Sequence, residues 1–260
     1  MFHRAHRGPT AASVPALAAL ATFTTIAAPS ARALILNGGL SANPGTSYVG
    51  LFNGGTAVAV GPREILTAAH VGGDRGDVFR LGGTSYRAVS TITSDTADLM
   101  RITLDRDLPG YYPVTDTGAK RGARLTIAGF GITSDYATKS AFFWSDEREE
   151  TWGYNRLDSS RDGHLWFKFD KSGGRQEASL SPGDSGGAVF ITGKNGQLIL
   201  AGINRGIYAR SNGRSTFGDI SVAVDLASQG GFLAGLAVVP TPGAISVLTL
   251  AGVFAARRRR

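Results

Sequence analysis

Short runs of apolar residues, separated by Gly, Pro, Asn and Asp, recur along most of the chain. Runs of this length, bounded by turn residues, are typical of β-strands. In the first half they predict strands at Tyr48–Phe52, Thr56–Val60, Glu64–Ala68, Val78–Leu81, Tyr86–Ile92 and Leu99–Leu104. Their even spacing predicts a β-barrel or a β-sandwich.

The second half repeats this pattern. It predicts strands at Ala123–Phe130, His164–Phe169, Ala188–Ile191, Gln197–Ile203 and Asp219–Leu226. Residues 134–163 are charged and rich in turn residues, and they include the run Asp146–Glu150. That composition favours a solvated surface loop, so we expect an all-β fold with one long charged loop.

The first 33 residues differ from the rest of the chain. A short basic segment is followed by an apolar run rich in Ala, and then by Ala31-Arg32-Ala33. Small residues at this spacing are typical of a signal peptidase site. We therefore predict a signal peptide over residues 1–33, rather than a first core helix, and an exported protein that begins at Leu34.

The other end of the chain has a tail of its own, predicted over residues 240–260. Prolines precede the apolar run Ala244–Ala256, and four arginines follow it. The run is shorter than the roughly 20 residues that span a bilayer. The tail resembles the PEP-CTERM sorting signal of bacteria, with Pro-Thr-Pro where Pro-Glu-Pro is usual. That resemblance implies membrane attachment with the arginines inside, and processing by an exosortase-type enzyme.

A plain C-terminal membrane anchor is the alternative for the tail. Either interpretation places the body of the protein at the cell envelope or cell surface, or outside the cell, with a membrane attachment that is transient or permanent.

The formal net charge of +7 comes from the two ends. They carry no acidic residue and seven arginines, and without those arginines the chain has 20 basic and 20 acidic residues. The body therefore lacks the basic stripe of a nucleic-acid-binding surface, and we expect no nucleic acid partner. Cys is absent, so an exported protein of this sequence relies on burial rather than on disulfides.

The segment Ser181-Pro-Gly-Asp-Ser-Gly-Gly187 carries the candidate chemistry. A serine hydroxyl attacks a carbonyl only when a base takes its proton, and His70 at the end of an apolar run is the candidate base. The glycines let the N–H groups of Gly183 and Ser185 approach a reacting oxygen as an oxyanion hole. The alternatives are a glycine-rich surface turn and a core histidine.

Gly-Asp-Ser-Gly-Gly, together with Thr-Ala-Ala-His, resembles the chymotrypsin/trypsin-like serine protease family (peptidase S1 type) over about residues 34–233. The resemblance implies two antiparallel β-barrels, over residues 34–120 and 121–239, with the active site in the cleft between them. It also implies an aspartate before an apolar strand. Asp98 fits, with Asp95 three residues earlier, and the order His, Asp, Ser is that of the family.

The resemblance implies an exported serine endopeptidase that hydrolyses polypeptides through an acyl-enzyme intermediate, with no metal and no cofactor. In that scheme Ser185 attacks, His70 transfers the proton and Asp98 orients His70. A catalytically inactive protease-fold binding module at the cell surface is the alternative function.

Two further assignments follow from the resemblance. The freed amino group of Leu34 would pair with the buried carboxylate of Asp184. The primary substrate pocket would have Ser179 as its floor, with Asn204, Arg205 and Gly206 along its wall. A serine floor suits apolar, aromatic or small side chains, whereas Arg205 would attract an acidic one. The sequence leaves this choice open.

Overall fold

The computed structural model describes residues 34–39, 41–236 and 238–239 of the 260-residue chain. The predicted signal peptide and the predicted tail lie outside them. The strands in this part of the chain, in order, are β1 Ile35–Leu36, β2 Val49–Phe52, β3 Gly55–Ala59, β4 Glu64–Thr67, β5 Val78–Leu81, β6 Thr84–Thr93, β7 Met100–Leu104, β8 Val114–Thr115, β9 Arg124–Gly129, β10 Ile132–Ala137, β11 Ala141–Arg148, β12 Thr151–Arg156, β13 Ser159–Arg161, β14 His164–Lys168, β15 Ala178–Ser179, β16 Ala188–Thr192, β17 Leu198–Tyr208, β18 Arg214–Thr216, β19 Ile220–Asp225 and β20 Val238–Val239.

Helical structure in the same residues amounts to three 3₁₀ segments, Ala69–Val71, Lys171–Gly173 and Leu226–Gln229. The all-β prediction is therefore confirmed. No helix in the described part is long and apolar enough to cross a membrane.

Strands β2 to β7 form a closed antiparallel barrel in the order β2-β3-β4-β7-β6-β5. The barrel closes where β5 returns to β2, with Phe79 opposite Phe52. Alternate residues of each strand fill its interior, as Met100, Ile102 and Leu104 of β7 do. The six strands predicted for this half are confirmed, each within about two residues of its predicted limits.

The second half is a nine-stranded sheet whose main order is β12-β9-β16-β17-β19-β14-β13. In addition, β8 pairs with β17, and β20 pairs with β8. The sheet curls into a half-barrel. Its flanks approach closely enough for Asn155 of β12 to donate a hydrogen bond of 3.0 Å to the carbonyl of Lys168 in β14. Apolar residues of β9, β14, β16 and β17 fill the concave side. The expected two-barrel architecture is confirmed, and the second barrel is open.

The prediction of a surface loop over residues 134–163 is wrong. This segment contains most of β10 and all of β11, β12 and β13, and β10, β11 and β18 form a three-stranded sheet. The charged residues lie on the exposed part of these strands. In β11, Ala141, Phe142 and Ser145 are buried, whereas residues 146–148 are exposed. One buried face is enough to hold a charged antiparallel strand.

A common apolar core joins the barrel to the second sheet. Val49, Leu66 and Leu99 of the first half pack in one cluster with Phe190 and Leu200 of the second. Two strands also cross between the halves, because β1 pairs with β15 and β8 pairs with β17. A domain boundary at residues 120/121 stays a prediction.

Candidate active site

His70 and Asp98 are brought together by the pairing of β4 with β7. Thr67 at the end of β4 lies opposite Met100 at the start of β7. His70 follows Thr67 by three residues and Asp98 precedes Met100 by two, so both reach the same end of the barrel. Asp98 accepts two hydrogen bonds from His70, one at Oδ1 from the backbone N–H (2.9 Å) and one at Oδ2 from Nδ1 (2.7 Å). Asp95 is exposed in the preceding turn.

Ser185 completes a linear array with this pair. Its Oγ lies 2.8 Å from Nε2 of His70. Because Nδ1 faces the Asp98 carboxylate and donates to it, Nε2 is left as the acceptor for the serine hydroxyl. The His70 side chain is 48% exposed, so a substrate can reach the serine from solvent. The array has the geometry of a nucleophile, a base and a group that orients the base.

The loop Ser181–Gly187 is clamped to the first barrel by Thr56. The backbone N–H of Thr56 donates to the Ser185 carbonyl (2.9 Å), and its hydroxyl donates to the Gly183 carbonyl (3.0 Å). Gly186 has a φ of +83°, and a Cβ at this position would collide with the Thr56 carbonyl oxygen. A glycine is therefore required at the point where the loop meets the barrel.

The Gly183 and Ser185 N–H groups have fixed directions and no acceptor among the described residues. The Pro182 carbonyl accepts from the N–H of Ile132 (2.8 Å), and the Asp184 carbonyl accepts from that of Gly187 (2.9 Å). In a trans peptide the following N–H points away from the carbonyl. These two anchored carbonyls therefore hold the two candidate oxyanion donors in place.

Asp184 is fully buried beneath this loop. Its carboxylate accepts hydrogen bonds from the N–H of Gly131 (2.9 Å), and from the N–H (2.8 Å) and hydroxyl (2.9 Å) of Ser181. Burial raises the pKa of Asp184 to about 7, although these hydrogen bonds and the backbone N–H of Leu34 act in the opposite direction. No cation in the described part of the chain pairs with it. Leu34 is itself buried.

The four residues predicted to form the substrate pocket lie in two different environments. Arg205 and Gly206 line a cleft of about 410 Å³ together with His70 and Asp98. Ser179 and Asn204 are fully buried and do not line it. A pocket built on those two residues stays a prediction.

Arg205 lies beside the array of Asp98, His70 and Ser185. Its Nε lies 3.5 Å from Oδ2 of Asp98, and its carbonyl oxygen lies 3.3 Å from Oγ of Ser185. The guanidinium is therefore already beside a carboxylate.

Two residues at the site were not predicted from the sequence. Thr56 belongs to an apolar strand with no motif of its own. Arg148 lies in the segment predicted to be a solvated loop, and its Nη1 donates to the carbonyl of Gly54 beside the catalytic serine loop. Both contacts join residues more than 90 positions apart, so no local pattern indicates them.

A closed barrel and a half-barrel with a Ser-His-Asp array between them define the chymotrypsin-like class of folds. Comparison with protein families agrees. The model of the trypsin-like peptidase domain matches residues 55–199, more than half of the chain, and this range contains His70, Asp98 and Ser185. The chain therefore belongs to the trypsin-like peptidase family.

Solved structures support the fold. Mouse neuropsin, a serine protease expressed in the limbic system of the brain, is 17% identical, with a TM-score of 0.56 over 73% of this chain and 94% of neuropsin. A mutant of human heparin-binding protein is 14% identical, with a TM-score of 0.57 over 79% of this chain and 94% of that protein. Comparison with curated proteins finds no match.

Proposed function

We propose that this protein is an exported serine endopeptidase that cleaves polypeptides through an acyl-enzyme intermediate. The observation that carries the proposal is the unbroken array from Asp98 through His70 to Ser185, with 2.7 Å and 2.8 Å between the interacting atoms. Membership of a peptidase family supports the same chemistry.

In the proposed reaction, Ser185 Oγ attacks the carbonyl carbon of the scissile peptide bond and Nε2 of His70 takes the hydroxyl proton. Asp98 keeps the ring in the required tautomer and stabilises its charged form. His70 then gives the proton to the leaving amine, which frees the first product and leaves an ester on Ser185. A water molecule, deprotonated by the same nitrogen, hydrolyses this ester.

The N–H groups of Gly183 and Ser185 are proposed to stabilise the negative charge that develops on the carbonyl oxygen. Loss of one such donor typically costs about 2.7–4 kcal/mol of transition-state stabilisation. No step of this mechanism needs a metal or another cofactor.

Signal cleavage would also activate the enzyme in this proposal. Cleavage after residue 33 turns the Leu34 backbone nitrogen, which already acts on Asp184, into an ammonium group. A buried carboxylate without a cation is costly, and an ammonium in this place would compensate it. The pair would then hold the loop that carries Gly183 and Ser185.

Export and attachment to the envelope rest on the two ends of the chain. Signal peptidase would process residues 1–33, and an exosortase-type enzyme would process the tail after residue 239. The mature body would be held at the cell surface or released from it, with polypeptides as substrates.

The test is labelling with a fluorophosphonate, which reacts with activated serines, applied to the full chain expressed in an exporting host. Wild type is expected to label and Ser185→Ala is not. Mass spectrometry of the N-terminus establishes whether the labelled form begins at Leu34. A folded, processed wild type that fails to label would contradict the peptidase proposal and favour a binding module.

A further inference from the structure

Arg148 brings a second positive charge to the candidate active site, beside Gly183 and Gly54. It is the last residue of β11 and is exposed. Its guanidinium lies against Gly183, because a Cβ at Gly183 would be only 3.1 Å from Cζ and 3.2 Å from Nη1 of Arg148. Nη1 also donates to the carbonyl of Gly54, in the turn between β2 and β3. The charge thus stands beside a proposed oxyanion donor.

No carboxylate neutralises Arg148 among the described side chains. The ion pairs there are His70–Asp98, Arg205–Asp98 and Lys168–Asp170. Glu147 precedes Arg148 in the strand, where successive side chains point to opposite faces. Asp184, in the same loop as Gly183, is fully buried and accepts hydrogen bonds from Ser181 and Gly131. Arg205, by contrast, already lies beside Asp98.

The guanidinium has further donors available. It carries five N–H groups, and the hydrogen bond to the Gly54 carbonyl uses one N–H of Nη1. The hydrogen bond of Nη1 holds the group in place, and the residue as a whole is exposed. A planar fork of this kind is suited to a carboxylate, which it binds through two parallel hydrogen bonds.

We propose that Arg148 recognises a carboxylate of the polypeptide substrate, on an Asp or Glu side chain close to the scissile bond. The inference rests on the proposed peptidase function and names its substrate class. Arg148 contacts Gly183, which belongs to the Ser185 loop, and Gly54, which lies in the turn before Thr56. We therefore expect a peptide bound for attack by Ser185 to pass this guanidinium. The selectivity comes from the positive charge and not from an apolar pocket.

The test uses pairs of peptides that differ only by Glu or Gln at one position, scanned on both sides of a bond that wild type cleaves. The ratio of kcat/KM for Glu over Gln is the readout, because defects in folding or chemistry cancel in it. An exposed carboxylate–guanidinium pair predicts a ratio of about 5 for wild type at its best position. The ratio should fall to about 1 in Arg148→Met, stay above 1 in Arg148→Lys, and decline with added salt.

Arg80→Met is the matched control. Arg80 is exposed on β5 of the barrel and does not line the cleft beside His70 and Asp98, so this variant should keep the wild-type ratio. Peptides with a free or an amidated C-terminus separate recognition of a side chain from recognition of a terminal carboxylate. Recognition of the terminal carboxylate alone would overturn the proposal as stated.

Other outcomes decide as clearly. A wild type that fluorophosphonate labels but that cleaves Glu and Gln peptides equally at every position overturns the recognition role and leaves the peptidase function standing. A drop in Arg148→Met that is equal for both peptides makes the residue a structural bridge between Gly54 and the oxyanion loop, and also overturns it. Absence of labelling in wild type overturns both proposals.

Discussion

The two halves of the molecule hold their parts of the active site by different means. His70 follows β4 and Asp98 precedes β7, and these two strands are paired in the closed barrel. The two residues are hydrogen-bonded directly to each other. Ser185 lies in a loop with two glycines at positive φ, Gly183 and Gly186, above a buried carboxylate that lacks a cation in the described residues.

The His70–Asp98 pair is therefore the preorganised part of the site, whereas the Ser185 loop lies over a carboxylate that still needs a partner. Strand pairing alone sets the position of the base and its partner. The loop that carries the nucleophile and the two candidate oxyanion donors is held by Thr56, Ile132 and Gly187. In our proposal it depends in addition on how Asp184 is compensated. Variants in the two halves should therefore fail in different ways.

The largest effect is expected from the barrel side. His70→Ala should lower kcat by about 10⁴-fold or more, because Ser185 loses the base that takes its proton. Asp98→Asn should cost about 10⁴-fold, since the amide favours the wrong tautomer of His70. Rates of peptide hydrolysis measure both effects.

Thermal unfolding of the same variants is the control. The His70 side chain is half exposed, so its removal should leave the unfolding temperature close to that of wild type. Near-normal hydrolysis by either variant would rule out the proposed roles of the pair.

Next in size is Asp184→Asn on the loop side. An amide has one acceptor oxygen and two donors, so it cannot satisfy the N–H groups of Gly131 and Ser181 and the Ser181 hydroxyl together. It also offers no charge to an ammonium at Leu34. We expect Gly183 and Ser185 to lose their orientation, with a loss of about 10²–10³-fold in the labelling rate, similar to removal of an oxyanion donor.

A matched variant separates this effect from simple loss of stability. Asp225 is also buried, and it accepts a 2.7 Å hydrogen bond from the Ser160 hydroxyl, away from the Ser185 loop. Asp225→Asn should lower the unfolding temperature while the folded fraction labels at the wild-type rate. Equal labelling losses in the two variants would mean that Asp184 has no special relation to the loop.

The same contrast explains what the sequence could predict. The barrel strands follow from local alternation, and the positions of His70 and Asp98 follow from strands that are close in the chain. The contacts of Thr56 with Gly183 and of Arg148 with Gly54 join distant segments. Their residue types, a threonine in an apolar strand and an arginine in a charged run, carry no local signal.

The error over residues 134–163 has a related cause. Strands β10 and β11 belong to a small sheet with one exposed face. In the sequence, the acidic residues at the end of β11 outweigh the apolar signal of the buried Phe142, and the segment therefore resembles a loop. Charge content predicts solvent exposure, and exposure does not exclude a strand. The pocket floor at Ser179 rests on a family pattern and stays a prediction; in this chain Ser179 lies in β15, opposite Ile35 of β1.

The smallest expected effect concerns Glu177, a second buried carboxylate of the same half. It lies in the wall of a separate cleft of about 710 Å³, and burial raises its pKa to about 7 from an ordinary value of 4.5. The folded protein therefore binds this proton more tightly than the unfolded chain. The resulting stability is fully present below about pH 4.5 and is lost as the pH rises towards 7.

Glu177→Gln should accordingly make the fall in unfolding temperature between pH 5 and pH 8 smaller. Each kcal/mol of pH-dependent free energy of unfolding that Glu177 contributes corresponds to about 2–4 °C. Labelling of Ser185 should be unchanged, because the cleft beside Glu177 contains none of the catalytic array. Asp184 titrates in the same range when no ammonium faces it. A pH dependence that survives in Glu177→Gln and disappears in chains processed at Leu34 would therefore assign the remainder to Asp184. A profile unchanged by either alteration would show that neither carboxylate has a raised pKa in the folded protein.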